Sequence, residues 1–126
     1  MKSLILTLLL VVFSAGAQAK PLMAVLFYAD WCGACQVLDP AVTEARENAA
    51  LDTRDVLFVR LDLTDDASRH QAQLMADTMG IGDLVAENGG KTGFLLLLDE
   101  GRTVGRITRA MAADEIASTI TAALET

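Results

Sequence analysis

The chain has 126 residues, with 17 acidic and 10 basic side chains, a formal net charge of −7 and 52% hydrophobic residues. This length accommodates one domain of ordinary size and excludes a second independent core. The acidic balance makes nucleic acid an unsuitable partner, because binding to phosphates requires clustered basic side chains. We therefore expect one small domain that does not bind nucleic acid.

The N-terminal segment matches the three parts of a secretory signal peptide. Lys2 precedes an apolar stretch from Leu4 to Phe13, and Ala17-Gln18-Ala19 forms a cleavage site. The apolar stretch is shorter than the ~20 residues that a membrane-spanning helix requires, which favours cleavage over a retained anchor. We predict a signal peptide over residues 1–19, export to the periplasm, and a domain over residues 20–126 that is soluble after cleavage.

The rest of the chain alternates short apolar runs with helical periodicities, which predicts four strands and three helices. In chain order, we expect a buried strand over 22–28, a helix over 35–51 kinked at Pro40 and a strand over 55–62. A second helix should begin with Thr64 as its capping residue, bury Ala72, Met75, Ala76 and Met79, and stop at Gly80. After it we expect a flexible loop over 80–93, strands over 94–98 and 103–108, and a last helix that buries Ile116 and Ile120. The order βαβαββα predicts an α/β fold in which helices flank a mixed four-stranded sheet.

The motif Trp31-Cys32-Gly33-Ala34-Cys35 follows the first strand directly and opens the first helix. A thiol at a helix N-terminus meets free backbone N–H groups and the positive end of the helix dipole, which stabilise the thiolate. Cys32 is therefore the predicted nucleophile, and Cys35, one turn later, is placed to resolve a mixed disulfide. We expect Gly33 and Ala34 to keep the helix start tight, and Trp31 to shape the site. This chemistry requires no cofactor.

Two other roles for the cysteine pair are weaker. A bridge between residues three positions apart would stabilise the chain little, because the entropic gain grows with loop length. A closed zinc site requires four ligands, and the chain offers only His70 beside the two cysteines. We therefore expect no metal, and the redox interpretation is favoured.

The segment from Phe27 to Cys35, with Pro40 after it, resembles the active-site segment of the thioredoxin superfamily. The sequence from Tyr28 to Cys32 and the C-terminal segment from Arg106 to Met111 are similar to the C-terminal thioredoxin-like domain of the bacterial disulfide-reductant transporter DsbD. This resemblance implies a thioredoxin-like fold and a periplasmic reductant of protein disulfides. It also implies a membrane-bound thiol donor that regenerates the dithiol, because the periplasm is kept oxidising.

The chain departs from the pattern of the superfamily in three places. Thr92 and Gly93 replace the usual cis-proline loop, which predicts a trans or remodelled loop. Leu26 replaces a buried acid, so Cys35 lacks the general base that the family uses. Arg109 replaces a common glycine, and would lower the pKa of Cys32 if it approached that thiol, the alternative being a solvated arginine.

These departures leave other functions open. An oxidant or isomerase would use the same chemistry in another direction. A thioredoxin-like binding module would hold a partner with the loop over residues 80–93 and keep an idle disulfide. A metal or iron–sulfur cluster shared between two chains is a third alternative, prompted by the missing proline.

Overall fold

The computed structural model describes residues 20–126, so the predicted signal peptide lies outside the described residues. These residues form four strands, four α-helices and a short 3-10 helix over Leu51–Thr53. The elements are β1 (Leu22–Tyr28), α1 (Gly33–Asn48), β2 (Val56–Asp62), α2 (Asp66–Thr78), α3 (Gly82–Asn88), β3 (Phe94–Asp99), β4 (Arg102–Thr108) and α4 (Ala113–Leu124). The predicted order is confirmed, with α3 as an addition.

The strands form one mixed sheet in the order β2-β1-β3-β4. β1 and β2 are parallel and are joined through α1, whereas β3 runs antiparallel to both β1 and β4. Phe27 pairs with Phe94, which brings the C-terminal end of β1 next to the N-terminal end of β3. The segment that follows β1 and the segment that precedes β3 therefore meet at one end of the sheet.

Helices cover both faces of the sheet. α1 and α4 bury Leu38, Val42, Ile116 and Ile120 against one face, and α2 and α3 cover the other. A fully buried aliphatic side chain of this size contributes about 1.5–3 kcal/mol. Because β1 is covered on both faces, nearly all its positions are buried, as its continuous apolar run predicts.

The segment between Gly80 and Gly93 is not the flexible loop that its glycines predict. It contains α3, whose Val85 is buried against the sheet. Gly80 and Gly89 adopt left-handed backbone conformations, with φ of +78° and +57°, at the boundaries of helices. The glycines therefore terminate helices here, and a helix of seven residues has too little periodicity for the sequence to indicate it.

Two helices also differ in detail from the prediction. α1 ends at Asn48, before the 3-10 helix that contains Leu51, and it continues through Pro40. In α2, Ala72 and Ala76 are buried as predicted, but Met75 is 44% exposed. Successive residues are about 100° apart around a helix, so Met75 lies at the side of the stripe that the two alanines form. None of the helices in residues 20–126 is long and apolar enough to span a membrane.

Candidate functional site

Cys32 is the N-cap of α1. Its backbone is extended, with φ of −83° and ψ of 109°, and its Sγ accepts a hydrogen bond from the backbone N–H of Cys35 at 3.3 Å. The sulfur thus occupies the position in which a serine or aspartate side chain caps other helices, at the positive end of the helix dipole. The predicted placement of a thiol at a helix N-terminus is what the structure shows. Only 7% of Cys32 is exposed, so the nucleophile is largely enclosed.

Cys35 lies one turn further along α1 and is completely buried. Its thiol donates a hydrogen bond to the backbone oxygen of Phe27, with the sulfur 3.5 Å from the oxygen. That carbonyl is at the end of β1, so strand and helix together hold the inner sulfur. Both cysteines are free thiols.

The two thiols differ in acidity. Burial by itself raises the pKa of Cys32, but hydrogen bonds to its sulfur from the Cys35 and Thr92 side chains and from backbone N–H groups outweigh burial. The pKa of Cys32 is therefore below its ordinary value. The pKa of Cys35 is raised, first by burial and then by its hydrogen bond to Cys32. The outer sulfur is thus the better thiolate and the inner sulfur holds its proton.

In the loop before β3, Gly93 packs closely against Cys32 and Ala34. The N–H of Gly93 donates to the backbone oxygen of Phe27 at 2.8 Å, the same oxygen that accepts from Cys35. Gly93 has φ of +91°, and a Cβ placed on it would lie 2.8 Å from the Cβ of Ala34 and 3.3 Å from the Sγ of Cys32. No peptide bond in residues 20–126 is cis, so the loop is trans, as its sequence predicts. A proline, whose φ is about −65°, does not fit this conformation.

Trp31 is held in place by Thr64, the residue that the sequence predicts as a helix cap. Its indole N–H donates to the backbone oxygen of Thr64 at 2.9 Å, and the backbone N–H of Asp30 donates to the hydroxyl of Thr64 at 3.0 Å. Thr64 in turn donates to the carboxylate of Asp62. The helix cap expected near Thr64 is instead Asp65, which accepts from the N–H of Ser68 at 2.7 Å. Sequence could not indicate the contact, because it joins loops 33 residues apart.

The remaining predicted site residues have different surroundings. Thr92 and Ala34 are half-buried against Cys32. A Cβ on Gly33 would meet nothing within 4 Å, so its space does not require glycine. Arg109 is exposed in the turn after β4 and is not among the groups that shift the pKa of Cys32. No group of three or more potential metal ligands occurs within residues 20–126.

A mixed four-stranded sheet with a thiol pair at the start of its first helix defines a thioredoxin-like domain. The thioredoxin family model matches residues 11–80. The chain belongs to the thioredoxin family.

Solved structures of thioredoxins are similar to this chain. Thioredoxin NaTrxh from Nicotiana alata is 27% identical, with a TM-score of 0.51, over 83% of this chain and 75% of that one. Thioredoxin 2 from Pseudomonas aeruginosa in its reduced form is 19% identical over 85% of this chain and 82% of that one, with a TM-score of 0.51, a likeness that shows the fold alone.

Curated relatives match over shorter segments. A probable protein disulfide-isomerase ER-60 of Schistosoma mansoni is 38% identical over 56 residues, 44% of this chain and 12% of that protein. The protein disulfide-isomerase of Saccharomyces cerevisiae is 44% identical over 45 residues, 36% of this chain and 9% of that protein. The matched segments thus span only about a tenth of these relatives.

Proposed function

We propose that this protein is a thiol-disulfide oxidoreductase that reduces disulfides of other proteins in the periplasm. The observation that carries the proposal is the asymmetry of the two thiols. Cys32 caps α1 with a pKa below its ordinary value, whereas Cys35 is fully buried with a raised pKa. A thiolate that attacks and a neighbouring thiol that resolves are the two groups that disulfide exchange requires.

The reaction has two displacements. The thiolate of Cys32 attacks one sulfur of the substrate disulfide, which forms a mixed disulfide and releases the other substrate sulfur as a thiolate. Cys35 then loses its proton and attacks the Sγ of Cys32, which releases the second substrate sulfur. The substrate gains two electrons and the pair becomes a disulfide, so a thiol donor must reduce the pair before the next turnover.

Trapping the mixed disulfide tests this mechanism. Cys35→Ser in the full chain removes the resolving thiol, so we expect Cys32 to accumulate a covalent adduct with a disulfide substrate that dithiothreitol releases. Cys32→Ser is the matched control and should form no adduct, because Cys35 is completely buried. Absence of the adduct in Cys35→Ser would favour the binding module with an idle disulfide.

The direction of electron flow is a separate part of the proposal. The similarity to the C-terminal domain of DsbD supports a reductant supplied by a membrane thiol donor, and the predicted signal peptide supports a periplasmic location. A redox titration should therefore give a potential near that of thioredoxin, about −270 mV. The names of the curated relatives favour an isomerase, which would give about −180 mV, and a potential near −120 mV would indicate an oxidant.

A further inference from the structure

The backbone oxygen of Phe27 accepts hydrogen bonds from two donors at once. The thiol of Cys35 donates to it with a sulfur–oxygen distance of 3.5 Å, and the N–H of Gly93 donates to it at 2.8 Å. Two donors on one oxygen lie side by side, so the N–H of Gly93 is next to the sulfur of Cys35. This N–H also lowers the pKa of Cys35, because its positive end stabilises a negative charge on the sulfur.

A second backbone N–H meets the same sulfur. Ala29 follows β1 and is completely buried, and within residues 20–126 no oxygen accepts a hydrogen bond from its N–H. A buried N–H group requires a partner, since leaving it unpaired is costly. The N–H of Ala29 lowers the pKa of Cys35, so the inner sulfur is the acceptor that lies within its reach. The segments after β1 and before β3 thus each direct one N–H group at Cys35.

These two donors become important when Cys35 loses its proton. As a thiol, the sulfur is itself a donor, and its bond goes to the oxygen of Phe27. As a thiolate it only accepts hydrogen bonds, and the same oxygen then faces a negative charge. Hydrogen bonds from N–H groups to an anion are strong in a buried site. Proline has no N–H, so a proline at position 93 would leave the thiolate with one of these donors fewer.

We propose that the backbone N–H groups of Ala29 and Gly93 bind the thiolate of Cys35 during the resolving step, an inference that rests on the function proposed above. The Cys35 S–H bond breaks and the proton passes to water, while the two N–H groups donate to the sulfur. The thiolate then uses its electron pair to form a bond to the Sγ of Cys32, and the bond from Cys32 to the substrate sulfur breaks. The substrate sulfur leaves with the electron pair of the broken bond and takes a proton from solvent.

Replacement of a backbone amide by an ester removes one N–H group and leaves every side chain in place. Nonsense suppression with α-hydroxy acids introduces glycolic acid in place of Gly93, or lactic acid in place of Ala29, into the full chain. Glycolic acid in place of Gly89 is the matched control. The N–H of Gly89 donates to the backbone oxygen of Ala86 at 3.2 Å, at the end of α3, and not to a sulfur.

Stopped-flow mixing of the reduced protein with 5,5′-dithiobis(2-nitrobenzoic acid) separates the two displacements. The first thionitrobenzoate is released when Cys32 attacks, and the second when Cys35 displaces it from the mixed disulfide. At neutral pH, the esters at positions 29 and 93 should leave the first phase unchanged and slow the second about three- to tenfold. Loss of a hydrogen bond to a charged group lowers the fraction of thiolate, and the greater nucleophilicity of a more basic sulfur offsets part of this loss. The ester at position 89 should change neither phase.

The pH dependence of the second phase separates thiolate binding from a structural role. In the mixed disulfide the sulfur of Cys32 does not titrate, so the rate follows the ionisation of Cys35. The esters at positions 29 and 93 should move the midpoint of this profile upward without lowering its plateau at high pH. A displaced backbone would instead lower the plateau and leave the midpoint where it is.

Three outcomes decide between the alternatives. A second phase that is unchanged in both esters would overturn the proposal, and so would a midpoint that does not move. If the ester at Gly93 prevents folding, the ester at Ala29 decides the question, because its N–H holds no backbone oxygen. Loss of the first phase in the unmodified protein would instead refute the proposed function.

Discussion

Gly93 is the position at which a single methyl group should be most damaging near the thiols. In Gly93→Ala the new Cβ would lie 2.8 Å from the Cβ of Ala34, closer than real Cβ atoms approach other atoms. Overpacking of this kind costs about 1–3 kcal/mol. The φ of +91° adds backbone strain, which costs an L-residue about 1–2 kcal/mol. We therefore expect a loss of about 2–5 kcal/mol in the free energy of unfolding.

Urea denaturation followed by the fluorescence of Trp31, the one tryptophan of the chain, measures this loss. Gly89→Ala is the matched control, because Gly89 also has a positive φ, +57°, but a Cβ there meets nothing within 4 Å. It should lose only the backbone part, about 1–2 kcal/mol.

A double-mutant cycle isolates the steric part. Ala34→Gly removes the atom that the new methyl group would meet, so the pair of substitutions should show a favourable coupling energy of about 1–3 kcal/mol. The reasoning is refuted if Gly93→Ala costs no more than Gly89→Ala, or if the coupling with Ala34→Gly is absent.

Two further predictions concern backbone strain and thiol acidity. Ala50 is exposed and its backbone is left-handed, with φ of 49° and ψ of 41°. Ala50→Gly should therefore raise the free energy of unfolding by about 0.5–1 kcal/mol, and calorimetry should show a Tm higher by several degrees. An unchanged or lower Tm would contradict this prediction. The pH midpoint for alkylation of Cys32 by iodoacetamide should lie below that of an ordinary thiol, because hydrogen bonds to its sulfur lower its pKa. Thr92→Val removes a hydrogen bond to the sulfur and should move that midpoint upward, whereas a midpoint that does not move would show that the hydroxyl leaves the thiolate unaffected.

The sequence predicted the elements with strong periodicity and failed where few residues carried the signal. β1 was predictable because a strand covered on both faces is apolar throughout. α3 was not, because one buried residue, Val85, in a seven-residue helix leaves no readable period among flanking glycines. The helical spacing of Met75 predicts that its side chain is buried, but it is 44% exposed, since spacing does not specify how wide a stripe the sheet covers.

The features of the candidate site likewise divide into those that the sequence predicts and those that depend on tertiary contacts. The order of Cys32 and Cys35 at a strand-to-helix junction is local, so the sequence by itself determined which sulfur caps the helix and which lies one turn inside it. Only the tertiary structure decided that Thr64 anchors Trp31 and that Gly93 packs against Cys32. These contacts join segments that are distant in the chain, and their geometry depends on the register and packing of the sheet, which no local pattern of side chains encodes.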